Sequence, residues 1–388
     1  MPSIWRRAWD PARKTSESYR PPDSSINRSA GEPIRISLSH VSAVWGEASH
    51  RAGVSFFVRG LGPVSFGSYH ALMPPRVISL LPSATEVLCA VGGESMLVGR
   101  SHECDFPKLV SDRPVLTAAR TTAASSAEID AQVRAALNDR EGEESVSASL
   151  YHLDADLLVS LKPDIILTQD LCDVCSIDLA TVRSIAAGMP APPEIVSLDP
   201  HTLMDVFDDL LKVGVAVGLE REAEVAVVQA RDGYWSAVDF VNQYIPGPET
   251  LFLEWTDPPF VGGHWTPGLI EEAGGTHSLN TVGSKSRQVT PADIVAAQPE
   301  RVIICPCGYD LAAIRRDLPA LQATDWWNAL PAVAGGDPNA VVMVDGNAMF
   351  NRPGPRLVDA FRWLVSWLND RPEVLPPDFP VESVATSR

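Results

Sequence analysis

Apolar residues recur every three or four positions between residues 220 and 245, and this spacing predicts a long amphipathic helix. The apolar positions are Val227, Ala230, Tyr234, Val238, Val241 and Ile245. Pro246 follows at once and predicts the end of the helix. At about 1.5 Å per residue the helix would extend about 39 Å, enough to pass along one domain and reach the next. The same period also fits an ordinary helix on a single domain, so the flanking sequence must decide.

Before this helix, short apolar runs alternate with helical patterns. In the first helical pattern, after residues 77–81, Ser83 is placed to cap the helix and Glu86 to close a capping box. Alternating strands and helices predict a parallel sheet with right-handed crossovers. Ligands bind beyond the carboxyl ends of such strands, so the loops after Arg100 and Gln169 are the places to look. The predicted strands are residues 77–81, 97–100, 164–169 and 194–198, and the predicted helices include 154–161 and 202–218.

After residue 246 the alternation begins again. The predicted strands are residues 250–255, 301–305 and 341–345, with a helix opened by Thr266 and Pro267 and a final amphipathic helix at 355–368. We therefore predict an α/β fold in which two Rossmann-like lobes with parallel sheets are joined by one long bridging helix. The expected organisation is a leader at 1–72, an N-terminal lobe at 73–218, the bridging helix at 219–246, a C-terminal lobe at 247–372 and a tail at 373–388.

The leader differs in composition from the rest of the chain. It carries nine Lys and Arg against five Asp and Glu, whereas the remainder carries 22 against 44. A body this acidic argues against nucleic acid as a partner. The apolar cluster at residues 54–58 ends at Arg59, so neither a signal-peptide core nor a membrane span is predicted. We expect a disordered or wrongly assigned leader, with Met73 as a second candidate start, and organelle targeting as the alternative.

Cysteine usage points to a reducing compartment. The chain has six cysteines, and without a predicted secretory signal they are expected as thiols or metal ligands. We therefore expect a cytoplasmic location.

Five segments carry a resemblance to a known family. They are RVISLLPSATE (76–86), GRSHECDFP (99–107), DPPFVGGHWTPGLIEEAGG (257–275), PCGYD (306–310) and NRPGPRLVDA (351–360). In this order, over residues 75–369, the chain resembles the cobalamin-binding branch of the iron-siderophore and cobalamin substrate-binding proteins of ABC importers. The resemblance implies two α/β lobes on a rigid hinge, with a corrinoid or siderophore held edge-on between them.

The resemblance also implies binding residues. The aromatic after the first strand of the second lobe falls on Phe260, and the residues before the last helix are Phe350, Asn351 and Arg352. In the first lobe the implied contact is Glu103, where transport members often have an aromatic. A further contact, Gln169, follows the strand at 164–169. The missing export signal makes the chain resemble intracellular relatives, so an ABC permease becomes a doubtful partner and a cobalamin-handling enzyme an alternative one.

A corrin is a broad, partly apolar disc fringed with amides, which flat aromatic faces and hydrogen-bonding groups would hold. Trp255 ends a strand and is expected in the core, whereas Phe260 and Trp265 lie in a Pro- and Gly-rich loop and are expected to contact the ligand. Core packing is the alternative for each aromatic. His264 and His102 could ligate cobalt through imidazole, although a surface or hydrogen-bonding role is the commoner outcome for histidine.

Two cysteine pairs follow predicted strands in opposite lobes. Cys172 and Cys175 form a C-x-x-C, and Cys305 and Cys307 form a C-x-C in which Cys305 should point into the sheet. Three alternatives stay open for Cys172, Cys175 and Cys307: incidental thiols, a contact to cobalt, or a zinc site.

We expect non-catalytic binding of a cobalamin-like corrinoid, for sequestration, delivery or uptake. No nucleophile set and no phosphate-binding loop of the Gly-x-x-x-x-Gly-Lys type is present. One alternative is a corrinoid-processing or redox enzyme that uses the thiols of Cys172, Cys175 and Cys307. The other is a siderophore or haem binder, which the acidic body disfavours.

Overall fold

The computed structural model describes residues 73–119, 125–138, 151–169, 179–242 and 244–385. The expected leader, Cys172 and Cys175 lie outside the described residues. No helix in the described ranges is both long and apolar enough to cross a bilayer.

The N-terminal lobe is built on a four-stranded sheet in which all neighbouring strands are parallel. The strands of this lobe are β1 (Val77–Ser79), β2 (Leu97–Arg100), β3 (Thr117–Ala119), β4 (Tyr151–Leu153), β5 (Ile165–Gln169) and β6 (Glu194–Leu198). Four of them form the sheet, in the order β2-β1-β5-β6, and β3 pairs with β4 as a separate antiparallel ribbon. Its helices are α1 (Pro82–Ala90), α2 (Ser126–Asn138), α3 (Ala155–Leu161), α4 (Leu179–Ala187) and α5 (Leu203–Val217). The central strand β5 is apolar and buried along most of its length, which is typical of a parallel strand covered on both faces.

The first helix does not use the predicted capping box. Helix α1 has Leu81 as its N-cap and no side-chain cap, with Pro82 in the first turn. Ser83 and Glu86 are both buried inside the helix instead. Proline fits the first turn because the missing N–H would have no helical partner there. Glu86 is therefore available for a long-range contact, described below.

The bridging helix α6 (Glu220–Val238) begins at the expected residue and ends seven residues earlier than Ile245. It is about 28 Å long. Beyond it the backbone N–H of Asn242 donates to Asn369 Oδ1, while Tyr244 and Ile245 are exposed. The apolar period therefore continued past the real end of the helix, because Ile245 belongs to a solvent-facing turn.

The C-terminal lobe contains a six-stranded mixed sheet around a parallel centre. Its strands are β7 (Thr250–Thr256), β8 (Pro259–Val261), β9 (Arg287–Gln288), β10 (Arg301–Ile304), β11 (Val341–Val344) and β12 (Val381–Ser383), in the order β12-β11-β10-β7-β8-β9. Its helices are α7 (Thr266–Glu272), α8 (Pro291–Ala297), α9 (Leu311–Gln322), α10 (Asp325–Asn328), α11 (Pro331–Ala334) and α12 (Leu357–Asn369). Strands β7, β10 and β11 are parallel. At the edges, β8 pairs antiparallel with β7, β9 pairs antiparallel with β8, and β12 pairs antiparallel with β11.

The segment expected as a tail contributes to this sheet. Strand β12 pairs with β11, so that Val381 lies opposite Val344. The predicted tail at 373–388 is therefore wrong for the residues of β12, which belong to the C-terminal lobe. They cover an edge that β11 would otherwise expose.

The largest apolar cluster is continuous from one lobe to the other. It contains Phe207 of α5, Tyr234 of α6 and Phe361 of α12. Two smaller clusters lie on the opposite faces of the two sheets. Because α6 contributes to the shared cluster, the lobes are joined by packed side chains as well as by the chain itself.

Candidate functional site

The loops at the carboxyl ends of the parallel strands bring the two lobes into contact. In the N-terminal lobe they follow β2 and β6, and in the C-terminal lobe they follow β7, β10 and β11. The loop after β5 is not described beyond Gln169, which is half-buried at the end of that strand. We call the facing surfaces of these loops the cleft.

A buried ion cluster joins the lobes at one side of the cleft. Arg352 lies before α12 and donates to Asp105 Oδ1 at 2.6 Å and to Glu86 Oε1 at 3.4 Å. Arg356 donates to both oxygens of Glu86, from Nε at 2.9 Å and from Nη2 at 2.5 Å. The side chains of Arg352 and Glu86 are 6 % and 2 % exposed. Arg352 also donates to the carbonyl of Glu103.

The charges of this cluster compensate one another. Burial opposes ionisation of Asp105, but the hydrogen bond and charge of Arg352 hold the pKa of that carboxyl below its usual range. Burial likewise disfavours the Arg352 cation, while Asp105 and Glu86 raise its pKa overall. Arg352 was expected to contact the ligand. In the structure its guanidinium is committed to carboxylates of the other lobe.

Two of the predicted aromatic contacts lie in the core. Phe350 is 0 % exposed, and its ring packs edge-on against Phe252 and Trp363. Trp265 is also buried, and its indole N–H donates to the Phe350 carbonyl at 2.6 Å. The Pro- and Gly-rich loop therefore turns its Trp265 side chain inward, because the indole finds a buried hydrogen-bond acceptor there.

The β7–β8 hairpin presents the remaining aromatics. Trp255 and Phe260 are cross-strand neighbours, and both are half-buried. The Trp255 ring packs edge-on against Tyr309, and its indole N–H donates to the carbonyl of Ser126 in the opposite lobe. Trp255 was expected in the core but lies at the boundary between the lobes. Phe260 keeps part of its surface available.

The N-terminal lobe contributes a polar cluster that the sequence reasoning did not assemble. The Tyr151 hydroxyl donates to Glu103 Oε1 at 2.9 Å. The His102 ring lies 5.1 Å from the Tyr151 ring, and its Nδ1 is 2.6 Å from Thr117 Oγ1. Partial burial lowers the pKa of His102 despite the charge of Glu103. Tyr151 was missed because no motif marks it; the β3–β4 pairing places it beside the predicted loop.

Asn351 and Cys305 are held within the C-terminal lobe. Asn351 Nδ2 donates to the carbonyls of Cys305 and Gly346, at 3.0 and 3.1 Å. Cys305 is completely buried, as expected from its strand-end position, and burial raises the pKa of its thiol well above the usual value. Cys307 is half-buried. Within the described part of the chain no group of three or more His, Cys, Asp or Glu is arranged to hold a metal. The zinc hypothesis for Cys172, Cys175 and Cys307 stays a prediction.

A histidine pair meets on another side of the lobe boundary. His201 follows β6 and His264 follows β8, and their ring centroids are 5.7 Å apart. The His264 backbone is left-handed, with φ of 52°. Strand-end position after β6 could have identified His201, since Asp199, Pro200 and His201 form the exit loop of that strand.

Carboxylates of the strand-end loops remain partly exposed. Glu103, Asp257, Asp310 and Asp345 lie after β2, β7, β10 and β11. Burial raises the pKa of Asp345, although backbone N–H groups of Asn347 and Ala348 donate to it. The cleft therefore carries hydrogen-bond acceptors, while Arg352 and Arg356 are neutralised within the ion cluster.

No protein-family model matches the chain, and no curated sequence matches it significantly. Solved structures do share its fold. The vitamin B12 binding protein BtuF of Vibrio cholerae matches with a TM-score of 0.54 and 19 % identity, over 77 % of this chain and 98 % of its own. A periplasmic heme binding protein from Pseudomonas aeruginosa gives 0.57 and 19 %, over 81 % and 100 %. The heme-binding protein RhuT from Roseiflexus sp. RS-1 gives 0.57 and 19 %, over 77 % and 99 %.

These structures confirm the predicted fold, in which two α/β lobes are joined by a helix. All three are described as binding proteins. Because both vitamin B12 and heme binders are among them, the likeness does not select the cobalamin branch.

The comparison overturns the expected cytoplasmic location, because all three structures are of periplasmic proteins. The cysteine argument was weak for a physical reason. Cys104 and Cys305 are free but fully buried, and burial raises the pKa of the Cys104 thiol to about 11. Such thiols are inert, so they report little about the redox state of the compartment.

Proposed function

We propose that this protein binds a cobalamin-like corrinoid without chemical change, in the cleft between its lobes, and delivers it to a membrane importer. The fold supports ligand binding at the strand-end loops of both lobes. The structures that share this fold, described above, support a location outside the cytoplasmic membrane for this protein. They also support a permease of the ABC type as its partner. A neighbour from Listeria monocytogenes EGD-e is described as an ABC transporter substrate-binding protein.

The charge of the cleft is the observation that supports a corrinoid as the ligand. The two arginines at its C-terminal side are committed to Glu86 and Asp105. Carboxylates such as Glu103 and Asp257 are left at the strand ends. A corrin fringe of amides offers N–H donors to these acceptors, whereas the propionates of heme or an anionic siderophore would be repelled.

The half-buried Phe260 supplies an apolar face for the disc. Its neighbour Trp255 is fixed by two hydrogen bonds, one to Ser126 and one to Asp257. Rigid aromatics lose little conformational freedom when they bind, so they suit a broad, partly apolar ligand. Glu103 and Gln169 would contribute hydrogen bonds from the N-terminal lobe.

Heme is the second candidate, and the His102–Tyr151 pair favours it. His102 Nδ1 is occupied by Thr117, which orients the ring and makes Nε2 the atom that could reach a metal. The lowered pKa of His102 keeps this imidazole neutral, as metal ligation requires. A contact to the cobalt of a corrinoid would use the same atom.

A visible-spectrum titration of the full chain tests the proposal, with hydroxocobalamin, heme and a ferric siderophore as parallel ligands. We expect saturable one-to-one binding of hydroxocobalamin, weakened about tenfold by Phe260→Ala. Trp235→Ala is the matched control, because Trp235 is an exposed aromatic on α6. Preferential binding of heme would select the second candidate.

The enzyme alternative needs its own assay. Incubation with hydroxocobalamin and a thiol reductant should change the corrinoid no faster than the same reductant does in the absence of the protein, as judged by mass spectrometry. Turnover that disappears in the Cys172→Ser/Cys175→Ser variant would replace binding by thiol-dependent processing.

A further inference from the structure

The pair formed by His201 and His264 joins two elements that belong to different lobes. His201 lies just before α5 in the N-terminal lobe, and His264 lies between β8 and α7 in the C-terminal lobe. Their rings are tilted by 44°, with centroids 5.7 Å apart. At this separation two neutral imidazoles are in contact, whereas two imidazolium ions repel each other.

The His264 side of the pair is held in place. The His264 ring stacks on Trp265, whose indole N–H is bonded to the Phe350 carbonyl. The backbone N–H of His264 donates to the Ser284 carbonyl at 2.6 Å, and its own carbonyl accepts from Gly283. The ring therefore cannot turn away from His201 without losing its stacking on Trp265.

Protonation of His264 is costly in this arrangement for a second reason. Its Nδ1 is buried and has no hydrogen-bond partner. A neutral ring can leave Nδ1 as an unprotonated acceptor, but the charged ring places an N–H donor there. A buried donor without an acceptor loses its bond to water with nothing in exchange.

The charged and titratable groups around the pair act on the pKa of His264 in both directions. Burial lowers the pKa of His264, and His201 and Lys285 lower it further, while Asp199 opposes them. Around His201, the carboxylate of Asp199 lies 3.7 Å from Nε2, and the Asp205 carboxylate accepts the backbone N–H. The nearby ammonium of Lys285 also argues against a divalent metal at this pair, as does the lack of a third ligand in the described residues.

We propose that the contact between His201 and His264 forms a pH-sensitive latch between the lobes, closed while the His264 ring is neutral and weakened when acidification charges that ring. Opening of the latch would loosen the lobe boundary on the histidine side and leave the Glu86–Arg352–Arg356 side closed. It requires no particular ligand, so it can be tested independently of the corrinoid.

Hydrogen exchange of the ligand-free full chain at pH 7.5 and 5.5 tests the latch, after correction for the pH dependence of the intrinsic exchange rate. We expect amides in residues 199–205 and 262–268 to exchange about three- to fivefold faster at pH 5.5, the size of effect typical of partly exposed charges. Amides in residues 351–357, at the ion cluster, should be unaffected. Equal acceleration of all three segments would mean general loosening and would overturn the latch.

Variants separate the pair from the other histidines. His201→Asn and His264→Asn should each abolish the acid response, and Asn suits position 264 because it tolerates left-handed backbone. His152→Asn is the matched control, since His152 is exposed on β4. An acid response that persists in both variants contradicts the proposal.

A histidine-selective NMR titration gives a second readout. We expect the pKa of His264 to rise in His201→Asn and to stay unchanged in His152→Asn. If His264 has the same pKa in the unmodified chain, in His201→Asn and in His152→Asn, the two rings do not interact, and the latch is excluded. If His264→Asn does not fold, His201→Asn alone decides both experiments.

Discussion

The two sides of the lobe boundary use different chemistry for the same task. On one side Arg352 and Glu86 are almost completely buried, with side chains 6 % and 2 % exposed. On the other side the His201 and Asp199 side chains are 47 % and 53 % exposed. Arginine keeps its charge at every physiological pH, whereas histidine changes charge near pH 6.5. The ion cluster is therefore a permanent connection, and the histidine pair is an adjustable one.

The difference also shows what each contact contributes to stability. A buried ion pair gains little over an apolar pair of the same shape, but breaking it leaves a buried charge without compensation. A partly exposed contact can be lost at small cost, because water replaces the partner. Mutations on the two sides should therefore differ greatly in size.

The largest effect is expected for Glu86→Gln. This change leaves Arg352 and Arg356 with one carboxylate fewer, and removal of one partner of a buried pair costs about 3–5 kcal/mol in the free energy of unfolding. Urea denaturation at pH 7.5 measures it. Glu300→Gln is the matched control on an exposed position and should change stability by less than about 0.5 kcal/mol. A similar small loss in Glu86→Gln would mean that the ion cluster does not hold the lobes together.

Asp209 is a buried carboxyl on α5. It tests whether the histidines are the main pH-dependent groups on the histidine side of the lobe boundary. Burial raises the pKa of Asp209 to about 7, although Lys212 opposes the shift, and its Oδ2 has no hydrogen-bond partner. A raised carboxyl pKa stabilises the fold fully below the unfolded value near 3.9, and this stability is lost as the pH rises through about 7.

Asp209→Asn should therefore stabilise the protein at pH 8.5, on the order of 2 kcal/mol after allowance for solvent screening. At pH 5, between the two pKa values, the advantage of the variant should fall to about one third of that at pH 8.5, because the difference develops between the unfolded value near 3.9 and the folded value of about 7. Thermal unfolding at the two pH values measures the difference. The neighbouring Asp208→Asn, at an exposed position, serves as the control. Equal effects at both pH values would show that Asp209 does not titrate in this range.

Trp265→Phe tests the support beneath the histidine pair. The change removes the indole N–H and leaves the buried Phe350 carbonyl without this donor, which should cost about 1 kcal/mol. Trp367→Phe is the matched control, because Trp367 donates to the Asn339 carbonyl at an exposed site. Comparable losses in the two variants would mean that burial of the Trp265 bond adds nothing.

The smallest effect concerns acid stability. Burial lowers the pKa of His102, His264 and His277. A histidine with a depressed pKa contributes stability above the unfolded value near 6.5, and this contribution is lost as the pH falls through the folded value. Thermal stability should thus decline below about pH 6.5, less steeply in His264→Asn. An unchanged slope would assign the decline to His102 and His277.

Much of the fold could be predicted because its strands and helices follow from local patterns of apolar residues. The strands β5, β7 and β10 coincide closely with apolar runs, and helix α6 begins where its period begins. The errors lie at boundaries and edges. The helix ends at Val238 because the following residues turn toward Asn369, and β12 forms because β11 offers a free edge. Both decisions depend on partners far along the chain.

The candidate site was predicted less well. The family resemblance pointed to Glu103 and Phe260, and the composition of the loop after β8 drew attention to His264, but neither could say which side chains turn inward. Phe350 and Trp265 are in the core, and Arg352 is used by the protein itself. Composition could not reveal Tyr151, which reaches Glu103 through the β3–β4 pairing.

The sequence by itself determined the alternation of strands and helices and the division into two α/β lobes, because these depend on residues within one or two turns of each other. Only the tertiary structure decided how the lobes meet. Arg352 and Glu86 are 266 positions apart, and His201 and His264 come from different lobes. Such contacts depend on how whole sheets and helices pack, and no local period records that packing.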